Sequence, residues 1–255
     1  MTSIWIAGVA GILAFIFGVG GLFLQKLLPE QHTSDRSGAM IGAVVGLFSL
    51  MLALVLGTLI GSSFAFYSTQ KAELETFASR AIQLDLALAE YGPETAFARS
   101  KMKETLQGIH ELIWGKDAAH IDPASLTVGV SLAHLRAMDE YIASLNPQTP
   151  AQRQFAAAAG FDASAIEQTR ILISMQLASP VSWPLVNIVV SWALILFCGF
   201  GLLSRINATT VVALGFGAFA VASAVFLILE LSEPFTGLFR IPAGAFEQML
   251  TTLGG

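Results

Sequence analysis

Catalysis and metal binding require ligating side chains brought together, and the histidines of this chain are dispersed: His32, His110, His120 and His134 form no HExxH-type pair. His110 has a carboxylate neighbour in Glu111. Adjacent residues on a helix point about 100° apart, so the two read as a solvated helix surface rather than as a ligand set. A single cysteine, Cys198, lies inside an apolar run, and counting alone removes disulfides and thiolate metal sites. The many glycines sit within long uncharged stretches and form no phosphate-binding loop. With no nucleophile, base and ligand falling together, no enzymatic chemistry, metal or cofactor is expected.

Two constellations remain. The first is a stripe of small residues at helical spacing, Gly38, Gly42 and Gly46 followed by Ser49, Ala53 and Gly57. Small stripes let membrane helices approach closely. In an oligomer the same stripe can face a central axis, with Phe64 and Phe66 as an apolar constriction where the helix leaves the bilayer. The pore-lining candidates are therefore Gly42, Gly46, Ser49, Ala53, Gly57 and Phe64, with simple helix packing as the competing explanation. The second constellation lies near the C-terminus, where Glu230 and Glu233 precede Pro234, Gly237 turns the chain and Arg240 comes back within reach. Glu230, Pro234, Gly237 and Arg240 are either a structural clamp on the tail or part of an ion vestibule or gate.

An ion-coupled transporter usually carries an ionisable residue in mid-membrane, where its cost of several kcal/mol marks it as functional. Here the polar groups inside the apolar runs are uncharged: Ser49, Thr58, Asn187, Ser191, Thr209, Thr210 and Ser223. Each can hydrogen-bond to its own helix or a neighbour. A proton relay is disfavoured, whereas a passive path lined by small groups is not.

The elements that must position these residues follow from composition. The chain is 55% hydrophobic and 12% charged with a mean hydropathy of +0.69, whereas soluble domains carry about a quarter charged residues. Residues 67–182 hold nine of the thirteen Lys/Arg and thirteen of the eighteen Asp/Glu, so two kinds of environment share one polypeptide. A bilayer core of roughly 30 Å needs about 20 helical residues. Ile4–Leu24, Ala39–Phe66, Trp183–Leu203 and Ala208–Leu229 each meet that length without a charge. The first lacks a basic n-region and a small-residue cleavage site, and is expected to be retained as a span.

Between Phe66 and Tyr91 there is neither Gly nor Pro, and Leu74, Phe77, Ala81, Leu84 and Leu88 recur at helix-face spacing. The second span should therefore continue out of the membrane as one helix until Gly92-Pro93 stops it. A helix carrying Phe97, Met102, Leu106, Ile109 and Ile113 follows, ending near Gly115, and 116–123 reads as a loop. A third, marked by Leu132, Leu135, Met138, Ile142 and Leu145, ends at Asn146-Pro147. Thr149 then serves as an N-cap and Pro150 as N1 of a fourth that runs to about Ser179 with Phe155, Ile166, Ile173 and Leu177 on its apolar face. The fold class is thus all-α: an integral membrane protein with four transmembrane helices and an inserted helical soluble domain. The divisions are 1–66 for spans one and two, 67–182 for the soluble domain, 183–229 for spans three and four as a membrane hairpin, and 230–255 for a tail.

The net charge of −5 and an acidic middle section argue against nucleic acid, which demands a clustered basic face. Lys and Arg near the spans divide four against three, which does not set orientation.

Several segments resemble the bacterial bestrophin-like membrane proteins across nearly the whole chain. They are Leu28-Pro-Glu-Gln-His32, Ala53-Leu-Val-Leu-Gly57, Leu84-Asp85, Tyr91-Gly92-Pro93-Glu94-Thr95, Ser182-Trp183-Pro184, Asn207-Ala208-Thr209, and Leu227-Ile-Leu-Glu230 through Pro234-Phe235, Gly237 and Arg240. Leu86 and Glu233 stand where that pattern carries basic residues. The resemblance implies a bestrophin-like fold in the bacterial inner membrane, with a cytosolic helical domain and a homo-oligomer, pentameric by kinship with bestrophins. It also implies a passive channel for small ions, anions by analogy, with the second helix lining the pore; the acidic calcium clasp of animal bestrophins has no counterpart here. The alternative is a membrane-anchored interaction or sensory scaffold whose helical domain binds a partner.

Overall fold

The structure is a computed structural model and describes residues 2–27, 35–115, 137–177 and 183–253. The described residues contain no strand. The helices are α1 (Thr2–Leu27), α2 (Asp35–Tyr91), α3 (Ala96–Trp114), α4 (137–144), α5 (Pro150–Leu177), α6 (Trp183–Leu203), α7 (Ala208–Leu231) and α8 (Gly244–Thr252). α1, α2, α6 and α7 are long and apolar enough to cross a membrane, so the chain is an all-α membrane protein. The expected loop 116–123, Leu132 and Leu135 of the expected third helix, His32, His120 and His134, and Ser179 lie outside the described residues, while Met138, Ile142 and the turn after them lie within.

The chain divides into two units, residues 1–67 with 181–233, and residues 68–180 with 234–255. In the first unit α1 packs against both α6 and α7, while these two make little contact with each other, so they are not a simple hairpin. Glycine explains how α1 comes so close. Hydrocarbon gives no hydrophobic drive for helices to associate, and backbones gain by approaching where side chains are absent. A Cβ on Gly21 would collide with the Cys198 carbonyl oxygen, and one on Gly201 with that of Gly18. On the α7 side a Cβ at Gly11 would sit 2.8 Å from that of Ala222. Ala7, Ala10, Ala14, Val189, Ala193, Ala218 and Val225 fill the buried seam. α7 starts with Asn207 as N-cap, its side-chain oxygen accepting from the Thr210 amide at 2.7 Å.

The second unit is built on the end of α2, where Leu74, Phe77, Ala81, Leu84 and Leu88 are buried as their spacing requires. Gly92, at φ 143°, supplies the backbone turn that other residues rarely adopt, and a 3-10 turn at Pro93–Thr95 follows. Thr95 is buried and its hydroxyl donates to the Gly92 carbonyl at 2.8 Å. α5 opens with a reciprocal capping box: the Thr149 hydroxyl accepts from the Gln152 amide at 3.1 Å and the Gln152 side-chain oxygen accepts from the Thr149 amide at 3.3 Å. Met102 and Leu106 of α3 and Ile166 of α5 are buried; Phe97, on the same expected face of α3, is instead 77% exposed.

Residues 234–253 also belong to this unit, and α8 was not foreseen from sequence. Phe246 is buried and stacks on Phe77 with ring centroids 6.0 Å apart, and Trp114 leans on it at 5.3 Å. The Trp114 indole N–H donates to the Ile241 carbonyl at 3.0 Å, and the Lys103 ammonium donates to the Leu253 carbonyl.

Candidate pore-lining helix

The span of α2 carries two unlike faces. Val45, Phe48, Leu52, Val55, Leu56 and Leu59 recur at three- and four-residue intervals and pack onto the core of the first unit. Phe48 meets Trp192 of α6 edge-on at 6.1 Å, and Leu52 is buried. Val45 occupies the space that a Cβ on Gly199 would need. This seam was not singled out in the sequence, although its spacing of large residues was the available signal.

The remaining surface is divided again. One edge carries Met40, Leu47, Met51 and Leu54, all exposed, with Leu54 at 69%. Bulky apolar groups suit contact with lipid chains. The other edge holds the small residues: a Cβ built at Gly42, Gly46, Gly57 or Gly61 meets nothing within 4 Å, and Ala53 is exposed. Ser49 is half-buried at the border of this edge, and its hydroxyl donates to the Val45 carbonyl at 2.8 Å. Thr58 turns back likewise onto Val55 and Ser62 onto Leu59, both at 2.9 Å. Each hydroxyl is satisfied by its own helix, so none is stranded in hydrocarbon. Phe64 continues the small edge and is 60% exposed. Gly46, Ala53 and Gly57 therefore share one face with the exposed Leu50, and among the described residues no neighbour comes within 4 Å of a Cβ built on its glycines.

The tail residues occupy distinct places. Glu230 is buried at 3% exposure in the last turn of α7, where its carbonyl accepts from the Glu233 amide at 3.2 Å. Pro234 is buried and its carbonyl accepts from the Ile241 amide at 2.9 Å, closing a loop at whose exposed tip Gly237 takes a φ of 95°. Arg240 is half-buried just before that closure. Glu230 falls in the first unit and Arg240 in the second.

Charge is organised elsewhere in the second unit. Asp85 of α2 accepts two bonds from Arg99 of α3, Nε to Oδ1 and Nη2 to Oδ2, each 2.8 Å. This bidentate fork, with the Asp85 hydrogen bond as the leading cause, holds the Arg99 guanidinium above its ordinary value. Arg99 was not picked out from sequence, although it supplies the charge that Leu86, beside Asp85, does not. Arg80 pairs with Asp162 at 2.9 Å and lies over the Phe161 ring at 5.2 Å. Burial, with Tyr91 and Glu94 nearby, pushes the Tyr141 phenol up; burial pushes the Arg170 guanidinium down against the opposing effect of Glu167.

Among the described residues no three His, Cys, Asp or Glu side chains gather as a metal site. A search of curated proteins and a search of solved structures each returned no match. The model of the bestrophin-like domain matches residues 12–246, from inside α1 to the first turn of α8. This match runs through all four candidate spans and the whole of the inserted segment, and the chain belongs to the bestrophin-like domain family.

Proposed function

We propose that this protein is a homo-oligomeric, pentameric, passive ion channel in which α2 lines the pathway. The observation that carries the reading is the uncovered glycine edge of α2. Gly42, Gly46, Ala53 and Gly57 lie on one side of a helix whose opposite seam is packed, and whose third side presents large apolar groups suited to lipid. One copy supplies four mostly apolar helices, too few to enclose water, so a path requires several copies around an axis. Small residues facing that axis leave it wide except at Leu50, which stands between Gly46 and Ala53, and Phe64 narrows it at the end of the span.

The edge carries no charge, so the path selects weakly by itself. The charges of the tail motif, Glu230 and Arg240, are the groups through which permeation would be tuned. In this reading the second unit lies in the cytosol and the assembly sits in the inner membrane of a bacterium.

Purified protein reconstituted in liposomes should pass small ions without an energy source, and its particle mass in detergent should be that of a multimer. Gly46→Leu and Ala53→Leu should each reduce flux. A monomeric particle, or a sealed liposome under every anion, cation and voltage tried, would overturn the proposal.

A further inference from the structure

Inside the spans of the first unit, Ser49, Thr58, Ser62, Ser191 and Ser223 each donate to a carbonyl three or four residues earlier in their own helix. Asn187 of α6 is different. It is exposed, and among the described residues no hydrogen bond reaches its side-chain amide. The Ser191 hydroxyl, one turn on, takes the Asn187 backbone carbonyl at 2.8 Å and leaves the side chain unmet.

The depth of Asn187 follows from the packing of α6 on α2. Phe48 meets Trp192 and Val45 fills the space beside Gly199, so the two helices run antiparallel. Counting five residues back from Trp192 and twelve from Gly199 puts Asn187 level with about residues 53–57 of α2. That level is nine to thirteen residues, roughly 14–20 Å, inside Phe66, where the uncharged run of α2 ends. Val186, Val189 and Ala193 bury the inner face of α6, while Asn187 stands on the outer one beside the exposed Leu185 and Ile188.

A side-chain amide carries two N–H donors and an oxygen that accepts. Lipid chains can meet none of them, and polar groups left unmet in hydrocarbon are costly. Because an amide both gives and accepts, a second copy of the same surface complements it, and asparagine is one of the residues that bond across membrane helices. We infer that Asn187 is a hydrogen-bonding contact between copies of this chain, made by the outer face of α6 with a span of the neighbouring copy. The inference rests on the assembly proposed above and adds to it a surface other than the glycine edge of α2.

The test uses full-length protein tagged in separate batches with donor and acceptor fluorophores and mixed in liposomes, with energy transfer followed as lipid is added. Dilution in the bilayer should separate the copies at a definite protein-to-lipid ratio. Asn187→Leu should raise that midpoint by at least about threefold, the worth of a modest interhelical hydrogen bond. Asn187→Gln, which keeps the amide, should shift it less, and Ile195→Leu, at an exposed apolar position of the same helix, should leave it in place. In a denaturant titration at densities below the midpoint, Asn187→Leu should be no less stable than the parent, since the single chain loses no contact. An unchanged or lowered midpoint for Asn187→Leu, as for an amide that faces lipid or water, overturns the inference and leaves the assembly standing. A less stable single chain also overturns it, by giving Asn187 a role within one copy. A parent protein without energy transfer at any density overturns both the contact and the assembly.

Discussion

Glycines of α1 and glycines of α2 sit in equally apolar sequence yet have opposite surroundings. At Gly21 the neighbouring backbone of α6 occupies the very place of a side chain, and at Gly11 that of α7 nearly does. At Gly42, Gly46 and Gly57 there is only open space. In the first case glycine is required by the fold of one chain. In the second, the described residues give no reason for it, since a Cβ would meet open space and alanine would favour a helix by up to about 1 kcal/mol per residue. In the proposed channel the difference has a reason: the small residues of α2 would answer to another copy or to a path between copies.

Substitutions can break this contrast. The largest effect is expected at the packed glycines: Gly21→Leu must push α1 off α6, costing at least about 3 kcal/mol, seen as loss of the folded particle in a denaturant titration in detergent. Next comes the second unit, held in part by the Arg99–Asp85 and Arg80–Asp162 ion pairs. Arg99→Met removes the bidentate partner of Asp85, a largely buried carboxylate, and should destabilise that unit by about 2–3 kcal/mol, with Asp85→Asn in the same chain recovering much of the loss. The open glycines come third in stability but first in function. Gly46→Leu should stay within about 0.5 kcal/mol of the parent in the same titration while cutting ion flux severely. A stability loss at Gly46 as large as at Gly21 would erase the distinction.

The smallest effect is expected in alkali. The Tyr141 phenol has a folded value raised above its usual one near 10, so the neutral form is favoured by the fold. Its contribution is complete below the unfolded value and is lost as pH rises past 10 through the folded one. Tyr141→Phe should flatten the pH dependence of unfolding in that range, with the phenolate absorbance as the direct readout.

Much of the fold was legible where physics is local. Hydrocarbon thickness fixes span length, so four uncharged runs located α1, the first part of α2, α6 and α7 closely. The absence of Gly and Pro from Phe66 to Tyr91 foretold that α2 runs on, Gly92-Pro93 foretold its stop, and Thr149-Pro150 marked the start of α5. What was not legible depends on contacts distant in sequence. α1 packs against both α6 and α7 rather than these two against each other, and a helix apolar on every side carries no periodicity to announce its partner. α8 was missed because only Phe246, Met249 and Leu253 mark its buried face, and their role depends on Phe77 and Trp114 far back in the chain. Arg99 finds Asp85 only because α3 folds back along α2. Of the candidate site, the stripe on α2 was readable from residue size and spacing, whereas its uncovered state was not, because sequence does not say which face the large residues Val45, Phe48 and Leu52 would claim.

The central claim is that the small edge of α2 faces water in an assembly of copies. Gly46→Cys in a Cys198→Ala background, reconstituted in liposomes and treated with a charged, membrane-impermeant thiol reagent, tests it most directly. Modification of that cysteine together with block of ion flux is the predicted result. A cysteine left unmodified, in protein whose flux the reagent does not touch, would contradict it.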